Sequence, residues 1–466
     1  MDAMPKLRLA FYGDDFTGST DALEVLAFAG MRCALFVKPP SVDMLKALGP
    51  FDAIGVAGES RSMSPEEMEQ QLPQTLQALA ALPVPLVHYK VCSTFDSSEA
   101  VGSIGRVMDL ARDAFGEGPI PIVAATPALG RYCVFGTLFA RSGTDGVVYR
   151  LDRHPIMRHH PTTPMSEADM ALHLSIQTRQ TFAKFALPLF ETGRQAMDSE
   201  LERIAENQPG GIIFDGATPA HLTEVGRQLE RLGAGRSRPL FCVGSSGLEY
   251  ATTQWWRESG EAAPVDTTRY EKFEAVPQVL AVSGSASPLS RMQVDTAITE
   301  GFVDIAVDAS SLVADERWES EMKRLVGEAV AALGGGLSVM VHTARGPDDG
   351  RIAAMISLLV SRGLRADEAR HVGGRLLAQR LGKFVDGVLR AVRIKRLLVS
   401  GGDTSSHVTR HLAPDALVVV ARLAPGAPLC RMLSDQPHLA DLQIALKGGQ
   451  MGQPDYFVKA LRGTSA

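Results

Sequence analysis

The sequence has neither an excess of positive charge nor a long hydrophobic run. Its 466 residues carry 47 Lys and Arg against 53 Asp and Glu, a formal net charge of −6. A basic surface that would attract nucleic acid or an anionic membrane is therefore not expected. No uncharged apolar run approaches the roughly 18 residues that a membrane-spanning helix requires, and the first residues contain no apolar signal-peptide core. These absences favour a cytoplasmic protein without nucleic-acid or membrane partners.

Cysteine is also scarce and scattered. The cysteines are odd in number and form no C-x-x-C pair: Cys33, Cys92, Cys133, Cys242 and Cys430. A disulfide framework and a zinc site are therefore not supported. The thiols are interpreted as small buried apolar side chains.

Several common catalytic signatures are missing as well. The sequence contains no G-x-x-x-x-G-K-[ST] phosphate loop, no protein-kinase signature set, no G-x-S-x-G elbow and no H-E-x-x-H zinc motif. The first predicted strand is not followed by G-x-G-x-x-G, which disfavours a dinucleotide-dependent dehydrogenase.

The composition that remains is typical of a globular α/β enzyme. Hydrophobic residues make up 45% and charged residues 21% of the chain, and its length is about three times that of a typical domain. Short apolar runs, each followed by Gly, Asp or Ser and then by an amphipathic stretch, predict βα units around largely parallel sheets. Residues 257–277 are polar and break this rhythm, so we predict a linker there between domains at 1–256 and 278–466.

Some individual elements can be predicted from local patterns. Residues 31–37 have the pattern of a strand in the first half of the chain. Ser64, with Pro65 next to it and Glu67 three residues later, predicts a capping box at the start of a helix. A periodic segment from Asp367 to about Leu389 predicts a long helix in the second half.

Two adjacent carboxylates follow the first predicted strand. Asp14 and Asp15 lie beside Thr17 and open a helix. Carboxylates at a strand end could hold Mg²⁺ or take a proton from a substrate hydroxyl. Helix capping is the alternative, because Asp and Thr are preferred at that position, and it would account for one or two of these residues.

Two cations follow later strands of the same half. Arg61 precedes the capped helix and has the shape for bidentate carboxylate recognition. Lys90 ends a strand and is followed by the hydroxyls of Ser93 and Thr94. The alternatives are a surface arginine and an edge-strand lysine that extends its amine to solvent.

Histidines cluster in the segment 152–161. A metal site is disfavoured, because prolines deny the segment helical spacing and no Cys or Glu-x-x-His completes a ligand set. The segment is basic and precedes another predicted helix. We therefore consider anion binding through Arg158, His159 or His160.

The second half contains turns rich in glycine and serine after several predicted strands. They lie at 283–287, 400–406 and 447–452. A strand, a Gly/Ser turn and a helix can hold phosphate with backbone N–H groups, although each turn taken singly is more often a structural loop. The residues by themselves therefore predict a two-domain α/β enzyme that binds an anionic small molecule and a phosphate-bearing cosubstrate.

Five segments, in the same order across nearly the whole chain, resemble the four-carbon acid sugar kinase family. They are GDDFTGSTD at 13–21, MRHHPTTPM at 157–165, VSGSASPLSRMQ at 282–293, SGGDTSS at 400–406 and KGGQMGQPDYF at 447–457. The resemblance implies an N-terminal acid-sugar-binding domain, a C-terminal nucleotide-binding domain and an active site in the interdomain cleft. It also implies transfer of the ATP γ-phosphoryl group, with Mg²⁺, to the terminal hydroxyl of a four-carbon sugar acid such as a 3-oxo-tetronate, threonate or erythronate.

The same resemblance implies roles for individual residues. Asp14 and Asp15 would be catalytic. The residues that would hold the sugar acid are Thr17, Arg61, Lys90, Ser93 and His160. The residues that would contact ATP are Ser285, Gly401, Gly402, Asp403, Thr404 and Gly449.

The chain departs from the family pattern after Lys90. Many members have K-x-D-S-T-L-R-G-N where this chain has KVCSTFDSS at 90–98, so that Cys92, Asp96 and Ser98 replace Asp, Arg and Asn. A kinase of a different aldonate and a non-catalytic sugar-acid sensor are therefore kept as alternatives. The sequence leaves homo-oligomerisation open.

Overall fold

The computed structural model describes residues 7–143, 146–160, 162–262 and 268–464. Pro161 of the histidine segment, residues 263–267 of the predicted linker and the first six residues lie outside this range. The described chain forms two compact units. Of the described residues, the first unit takes those up to Cys33 and those from Lys38 to Ala262, and the second takes Ala34–Val37 and those from Thr268 onward.

The strands of the first half of the chain are mostly short and apolar. They are β1 (Leu9–Gly13), β2 (Cys33–Phe36), β3 (Ala53–Ala57), β4 (Leu86–Lys90), β5 (Ile120–Val123), β6 (Arg131–Val134), β7 (Thr137–Arg141), β8 (Val148–Arg150), β9 (Phe182–Phe185), β10 (Gly211–Phe214) and β11 (Leu240–Gly244). The helices are α1 (Phe16–Phe28), α2 (Val42–Leu48), α3 (Pro65–Ala80), α4 (Ile104–Phe115), α5 (Met170–Ser175), α6 (Arg194–Glu206), α7 (Pro219–Gly233) and α8 (Gly247–Glu258).

The first unit is built on a parallel sheet with the strand order β3-β1-β4-β11-β5-β10-β9. β1 and β3 are buried along their whole length, as expected for a parallel sheet that is covered by helices on both faces. A separate antiparallel sheet, β6-β7-β8, follows β5 in the chain. The predicted capping box is confirmed: the Ser64 hydroxyl accepts from the Glu67 N–H, and the Glu67 carboxylate accepts from the Ser64 N–H.

The second half of the chain alternates strands and helices again. Its strands are β12 (Leu280–Ser283), β13 (Val303–Ala306), β14 (Val339–His342), β15 (Arg396–Ser400), β16 (Ala416–Ala424), β17 (Ala427–Leu433) and β18 (Gln443–Lys447). Its helices are α9 (Pro288–Thr299), α10 (Ala309–Val313), α11 (Trp318–Gly334), α12 (Gly350–Ser361), α13 (Ala366–Ala391), α14 (Gly402–Leu412) and α15 (Tyr456–Arg462). The long helix predicted from Asp367 is confirmed as α13.

The sheet of the second unit has the strand order β13-β14-β12-β15-β18-β17-β16-β2. In this order the first five strands pair in parallel: β13, β14, β12, β15 and β18. The remaining strands, β17, β16 and β2, continue the sheet in antiparallel pairing. The predicted α/β class with largely parallel sheets is therefore confirmed. No helix of the described residues combines the length and the apolar character that a membrane crossing would need.

One strand differs from its predicted place. The pattern of residues 31–37 predicts a strand of the first domain, and a strand is present at Cys33–Phe36. However, Phe36 and Leu35 pair with Ala416 and Leu417 of β16, and Ala34–Val37 group with the second unit. Local periodicity predicts a strand but not its partner, because the pairing joins residues far apart in the chain.

Candidate functional site

Three strands of the first unit end in register. Gly13 at the end of β1 pairs with Ala57 at the end of β3 and with Lys90 at the end of β4. β3 lies on one side of β1 and β4 on the other. In open α/β sheets such a switch in strand order creates a crevice at the carboxyl ends, where ligands bind. The loops that carry Asp14 and Arg61 begin at this edge.

Asp14, Asp15 and Arg61 form one ion-paired cluster. Nε and Nη2 of Arg61 donate to the two oxygens of Asp14 at 3.0 and 2.7 Å, and Nη1 donates to Asp15 Oδ2 at 2.7 Å. A backbone hydrogen bond also joins the two loops, since the Arg61 N–H donates to the Asp14 carbonyl. Sequence analysis singled out all three residues, and the structure brings them together.

Asp15 also caps helix α1. Its Oδ1 accepts from the Gly18 N–H at 2.6 Å, and its Oδ2 accepts from the Thr17 hydroxyl at 2.8 Å. The capping alternative is therefore confirmed for Asp15. Gly18 must lack a side chain, because a Cβ there would lie 2.5 Å from Asp15 Oδ1 and 3.4 Å from the Lys90 amine.

The two aspartates differ in their surroundings. Asp14 is 4% exposed, and burial raises its pKa although the Arg61 charge acts in the opposite direction. Burial lowers the pKa of Arg61, but the charges of Asp14 and Asp15 outweigh it and hold that pKa well above its ordinary value. The cluster thus contains a permanent cation and a carboxyl group with raised proton affinity.

Lys90 is buried and ion-paired. Its Nζ donates to the Val91 carbonyl at 3.0 Å and lies 3.6 Å from Asp21 Oδ2. Burial lowers the pKa of Lys90, but the charges of Asp21 and Asp14 together raise it by more. The pKa of Lys90 is therefore above its ordinary value. β4 lies between β1 and β11, so the alternative of an edge-strand lysine that reaches solvent is wrong.

The altered segment after Lys90 carries an acidic group that sequence analysis did not assign to the site. The Thr94 hydroxyl donates to Asp96 Oδ1 at 2.6 Å and lies 3.0 Å from the Cys92 sulfur. Burial raises the pKa of Asp96, but the Arg61 charge and the Thr94 hydrogen bond outweigh it and lower that pKa overall. Asp96 is therefore a charged carboxylate near Arg61. Ser93 is half-buried in the same segment.

His160 belongs to the same neighbourhood. Its ring lies close enough to Asp96 to contribute to the lowered pKa of that carboxyl group. Its Nδ1 accepts from the Thr163 N–H at 3.2 Å, which fixes the ring in place. His159 is exposed. The described residues include no group of three or more His, Cys, Asp or Glu side chains placed to hold a metal ion.

A buried hydrogen-bond cluster shapes the altered segment. Ser97 Oγ lies 2.9 Å from His173 Nε2, and the Gln177 amide donates to Ser97 at 2.9 Å. His173 is 4% exposed, and burial lowers the pKa of its imidazole to about 4. The cluster therefore ties the segment to α5 through a neutral histidine.

This neutral histidine predicts an acid-sensitive stability. In the unfolded chain His173 takes up a proton near its ordinary pKa, whereas the folded protein resists protonation until about pH 4. The free energy of unfolding should therefore fall between pH 6.5 and 4, with this group contributing up to about 1.4 kcal/mol per pH unit. Urea unfolding of wild type and His173→Gln across this range measures the slope, which the variant should reduce. His159→Gln, at an exposed position, is the control; equal slopes in all three proteins would contradict the prediction.

The nucleotide turns predicted in the second unit also begin in register. Ser283 at the end of β12 pairs with Ser400 at the end of β15, and Ser400 pairs with Lys447 at the end of β18. β14 lies on the other side of β12, so the strand order also switches here. The three glycine turns therefore share one sheet edge.

The three turns pack so closely that their glycines have no room for a side chain. A Cβ on Gly284 would collide with the Thr404 hydroxyl, and a Cβ on Gly449 would collide with the Ser285 hydroxyl. Gly401 has φ +115°, which disfavours any other residue, and a Cβ there would lie 3.3 Å from the Ser285 nitrogen. The three turns therefore pack against one another, with Gly402 and the exposed Asp403 at the start of α14.

Side chains of α9 and of Ser287, its N-cap residue, hold the last of these turns. Ser287 and Ser290 donate to the Gly449 carbonyl at 2.5 and 3.0 Å. The Gln293 amide donates to the carbonyls of Met451 and Gln453 at 3.0 and 2.9 Å. These bonds fix the carbonyl groups of the turn toward α9.

Lys447 lies beneath the same turn. It is fully buried, donates to the Gly448 carbonyl at 3.1 Å and lies 5.6 Å from the centre of the Tyr456 ring. Burial lowers its pKa to about 7. Because burial disfavours the charged form of Lys447, a nearby anion would stabilise its charge. A phosphate bound at this edge of the sheet would be such an anion.

Comparison with known proteins bears on both units. Residues 9–252 match the family model of a sugar-binding N-terminal domain, and residues 280–457 match that of a nucleotide-binding C-terminal domain. A 3-oxo-isoapionate kinase of Paraburkholderia graminis is 39% identical, over 97% of this chain and 93% of the relative. A 3-oxo-tetronate kinase of Cupriavidus necator is 31% identical, over 97% and 96%.

Solved structures share the fold. A protein of Salmonella typhimurium LT2 superposes with a TM-score of 0.74 at 24% identity, covering 98% of this chain and 99% of the other. A Haemophilus influenzae protein superposes with a TM-score of 0.70 at 23% identity, covering 97% and 98%. At these identities the likeness supports the fold alone.

Proposed function

The chain belongs to the four-carbon acid sugar kinase family and is a sugar-acid kinase, and from that premise we propose its substrates. It transfers the γ-phosphoryl group of ATP to a terminal hydroxyl of a small 3-oxo sugar acid. We place 3-oxo-isoapionate ahead of 3-oxo-tetronate, since identity to a kinase named for the former is 39%, against 31% to one named for the latter.

The observation that carries this proposal is the pairing of two kinds of site in one chain. The first unit has a carboxylate and cation cluster at the edge of its sheet, built on Asp14, Asp15 and Arg61. The second unit has a backbone cradle where Gly284, Gly401 and Gly449 leave no room for side chains. The first can bind and deprotonate a hydroxyl acid, and the second can bind nucleotide phosphates.

In the first unit Asp14 is the proposed proton acceptor for the substrate hydroxyl. Burial raises its pKa, and a raised pKa favours proton transfer near neutral pH. Asp15 caps α1 and holds one nitrogen of Arg61, so it orients the guanidinium. Thr17, Lys90, Ser93 and His160 remain proposed substrate-binding residues.

In the second unit Ser285, Gly401–Thr404 and Gly449 form the proposed phosphate cradle. Phosphoryl transfer depends chiefly on positioning and charge neutralisation. Mg²⁺ would neutralise phosphate charge, and it takes most of its ligands from the nucleotide and water. A metal held mainly by the nucleotide fits the lack of a three-ligand cluster in the described residues.

A substrate panel tests the function. The protein is incubated with ATP, Mg²⁺ and one acid at a time: 3-oxo-isoapionate, 3-oxo-tetronate, threonate or erythronate. We expect ADP release, with the highest kcat/KM for 3-oxo-isoapionate, and a product heavier by one phosphoryl group. Silence across the panel would overturn the kinase proposal. Acid binding without ATP binding in calorimetry would instead support the sensor alternative.

A further inference from the structure

The two cations predicted to receive the substrate carboxylate are already engaged. Arg61 directs three of its nitrogens at Asp14 and Asp15. Lys90 is buried and lies 3.6 Å from Asp21. Asp96 adds a further negative charge to the neighbourhood of Arg61. Four carboxylates thus face two cations, and an anionic substrate requires positive charge from elsewhere.

Arg131 lies at the same edge of the sheet. Its backbone exchanges hydrogen bonds with Thr126, which follows β5. The Thr126 hydroxyl is hydrogen-bonded to the hydroxyl of Ser245, directly after β11. β11 in turn pairs with β4, where Gly244 lies opposite Lys90. Through these contacts the start of β6 is tied to the carboxyl ends of the strands that carry the cluster.

The charge of Arg131 is held in place but not compensated. Its Nη1 donates to the carbonyls of Leu129 and Arg141 at 2.8 and 3.1 Å. Its Nε is buried without a hydrogen-bond partner, and no carboxylate of the described residues lies within ion-pair distance of the guanidinium. Burial lowers its pKa, and within the part of the chain that the structure describes the one ionisable group that opposes this effect is Cys92.

Cys92 connects Arg131 to the cluster. Cys92 lies close enough to Arg61 and Arg131 to affect the pKa of both. Burial raises the pKa of its own thiol to about 11, so at neutral pH the thiol is uncharged and compensates neither arginine. Cys92 begins the segment in which this chain carries Asp96. Arg131 is half-buried, and two backbone carbonyls orient its guanidinium beforehand. An oriented arginine without an acidic partner is suited to a carboxylate, which it can bind through paired N–H groups.

We propose that Arg131 binds the carboxylate of the sugar-acid substrate and sets the preference of this site for acids over neutral sugars. The inference rests on the proposed function, since it concerns the substrate of the same site. Arg61 then serves to hold Asp14 and Asp15, and Arg131 supplies the free positive charge that the substrate requires.

The variant Arg131→Met tests this assignment, because Met keeps much of the side-chain length and removes the charge. Loss of a charged hydrogen-bonding partner should raise KM for the acid about tenfold to a hundredfold, with kcat changed much less. Arg131→Lys should recover part of the loss. Arg141→Met, at an exposed arginine of the same small sheet, is the matched control and should leave KM unchanged.

A neutral analogue separates a binding role from a structural one. Erythrulose carries CH₂OH where 3-oxo-tetronate carries its carboxylate, so its inhibition constant should be the same for wild type and Arg131→Met. Equal weakening of acid and erythrulose, or equal effects of the Arg131 and Arg141 variants on KM, would overturn the inference.

Calorimetry keeps this inference distinguishable from the proposed function. Wild type that binds threonate or a 3-oxo acid in an Arg131-dependent way but consumes no ATP would overturn the kinase proposal and support the carboxylate site. If wild type consumes ATP and Arg131→Met binds the acid with the same affinity as wild type, the kinase proposal is supported and the carboxylate site at Arg131 is overturned. Thermal unfolding of each variant verifies that it is folded.

Discussion

Asp14→Asn should lower kcat by about a hundredfold to ten-thousandfold, the usual contribution of a positioned general base. Asn has nearly the same size and can still accept a hydrogen bond from Arg61, but it cannot take the proton of the substrate hydroxyl. The proposed nucleotide cradle belongs to the second unit, so the Kd of ATP should stay unchanged. Steady-state kinetics with the preferred acid and calorimetry with ATP measure the two quantities.

Asp15→Asn is the matched comparison for this prediction. Asn is as good a helix cap as Asp, so the bond to the Gly18 N–H can persist, and we expect a smaller loss of kcat. A larger loss in Asp15→Asn than in Asp14→Asn would transfer the base role to Asp15. Near-normal turnover in both variants would remove the cluster from the chemistry.

Arg61→Met should destabilise the protein by up to about 3–5 kcal/mol, the range for removing one partner of a buried ion pair, since Asp14 is buried while the Arg61 side chain is 26% exposed. The variant leaves Asp14, which is 4% exposed, without the two arginine nitrogens that now bind it at 3.0 and 2.7 Å. The pKa of Asp14 should rise further, because the positive charge of Arg61, which lowers it, is gone. Urea unfolding of the first unit at neutral pH measures the loss of free energy.

Arg32→Met provides a control with the same local geometry. Arg32 binds Asp52 through Nε and Nη2 at 3.0 and 2.7 Å, but more than half of its side chain is exposed. An exposed pair of this kind contributes about 0–1 kcal/mol. If Arg61→Met lost no more than Arg32→Met, the cluster would not be a buried electrostatic unit. The double variant Asp14→Asn with Arg61→Met should recover part of the loss and measures the coupling.

Local sequence patterns were sufficient to predict most of the elements that position the two sites. The capping box at Ser64 and the long helix from Asp367 are present. The three glycine turns lie at one sheet edge, because parallel strands that end in a turn place those turns side by side. Asp14, Asp15 and Arg61 could be identified as candidate site residues because each belongs to a short polar motif directly after an apolar run that predicts a strand.

The roles within the first site were harder to predict. Arg61 has the side chain expected of a carboxylate receptor, yet its nitrogens bind Asp14 and Asp15. Lys90 was open to interpretation as a solvent-reaching lysine and is buried instead. Arg131 carried no sequence signal, because it lies in a strand without a recognisable motif. Which cation is free depends on pairing between residues far apart in the chain.

The sequence by itself determined the α/β class, the positions of the motif-bearing turns and the family, because each follows from local periodicity or from short contiguous motifs. Tertiary structure alone decided three further features: the pairing of β2 with β16, the neutralisation of Arg61 by two aspartates and the uncompensated charge of Arg131. The physical reason is the same in each case. Strand partners, burial and the distances between charges arise from residues that are remote in the sequence, and those distances set the electrostatics of the site.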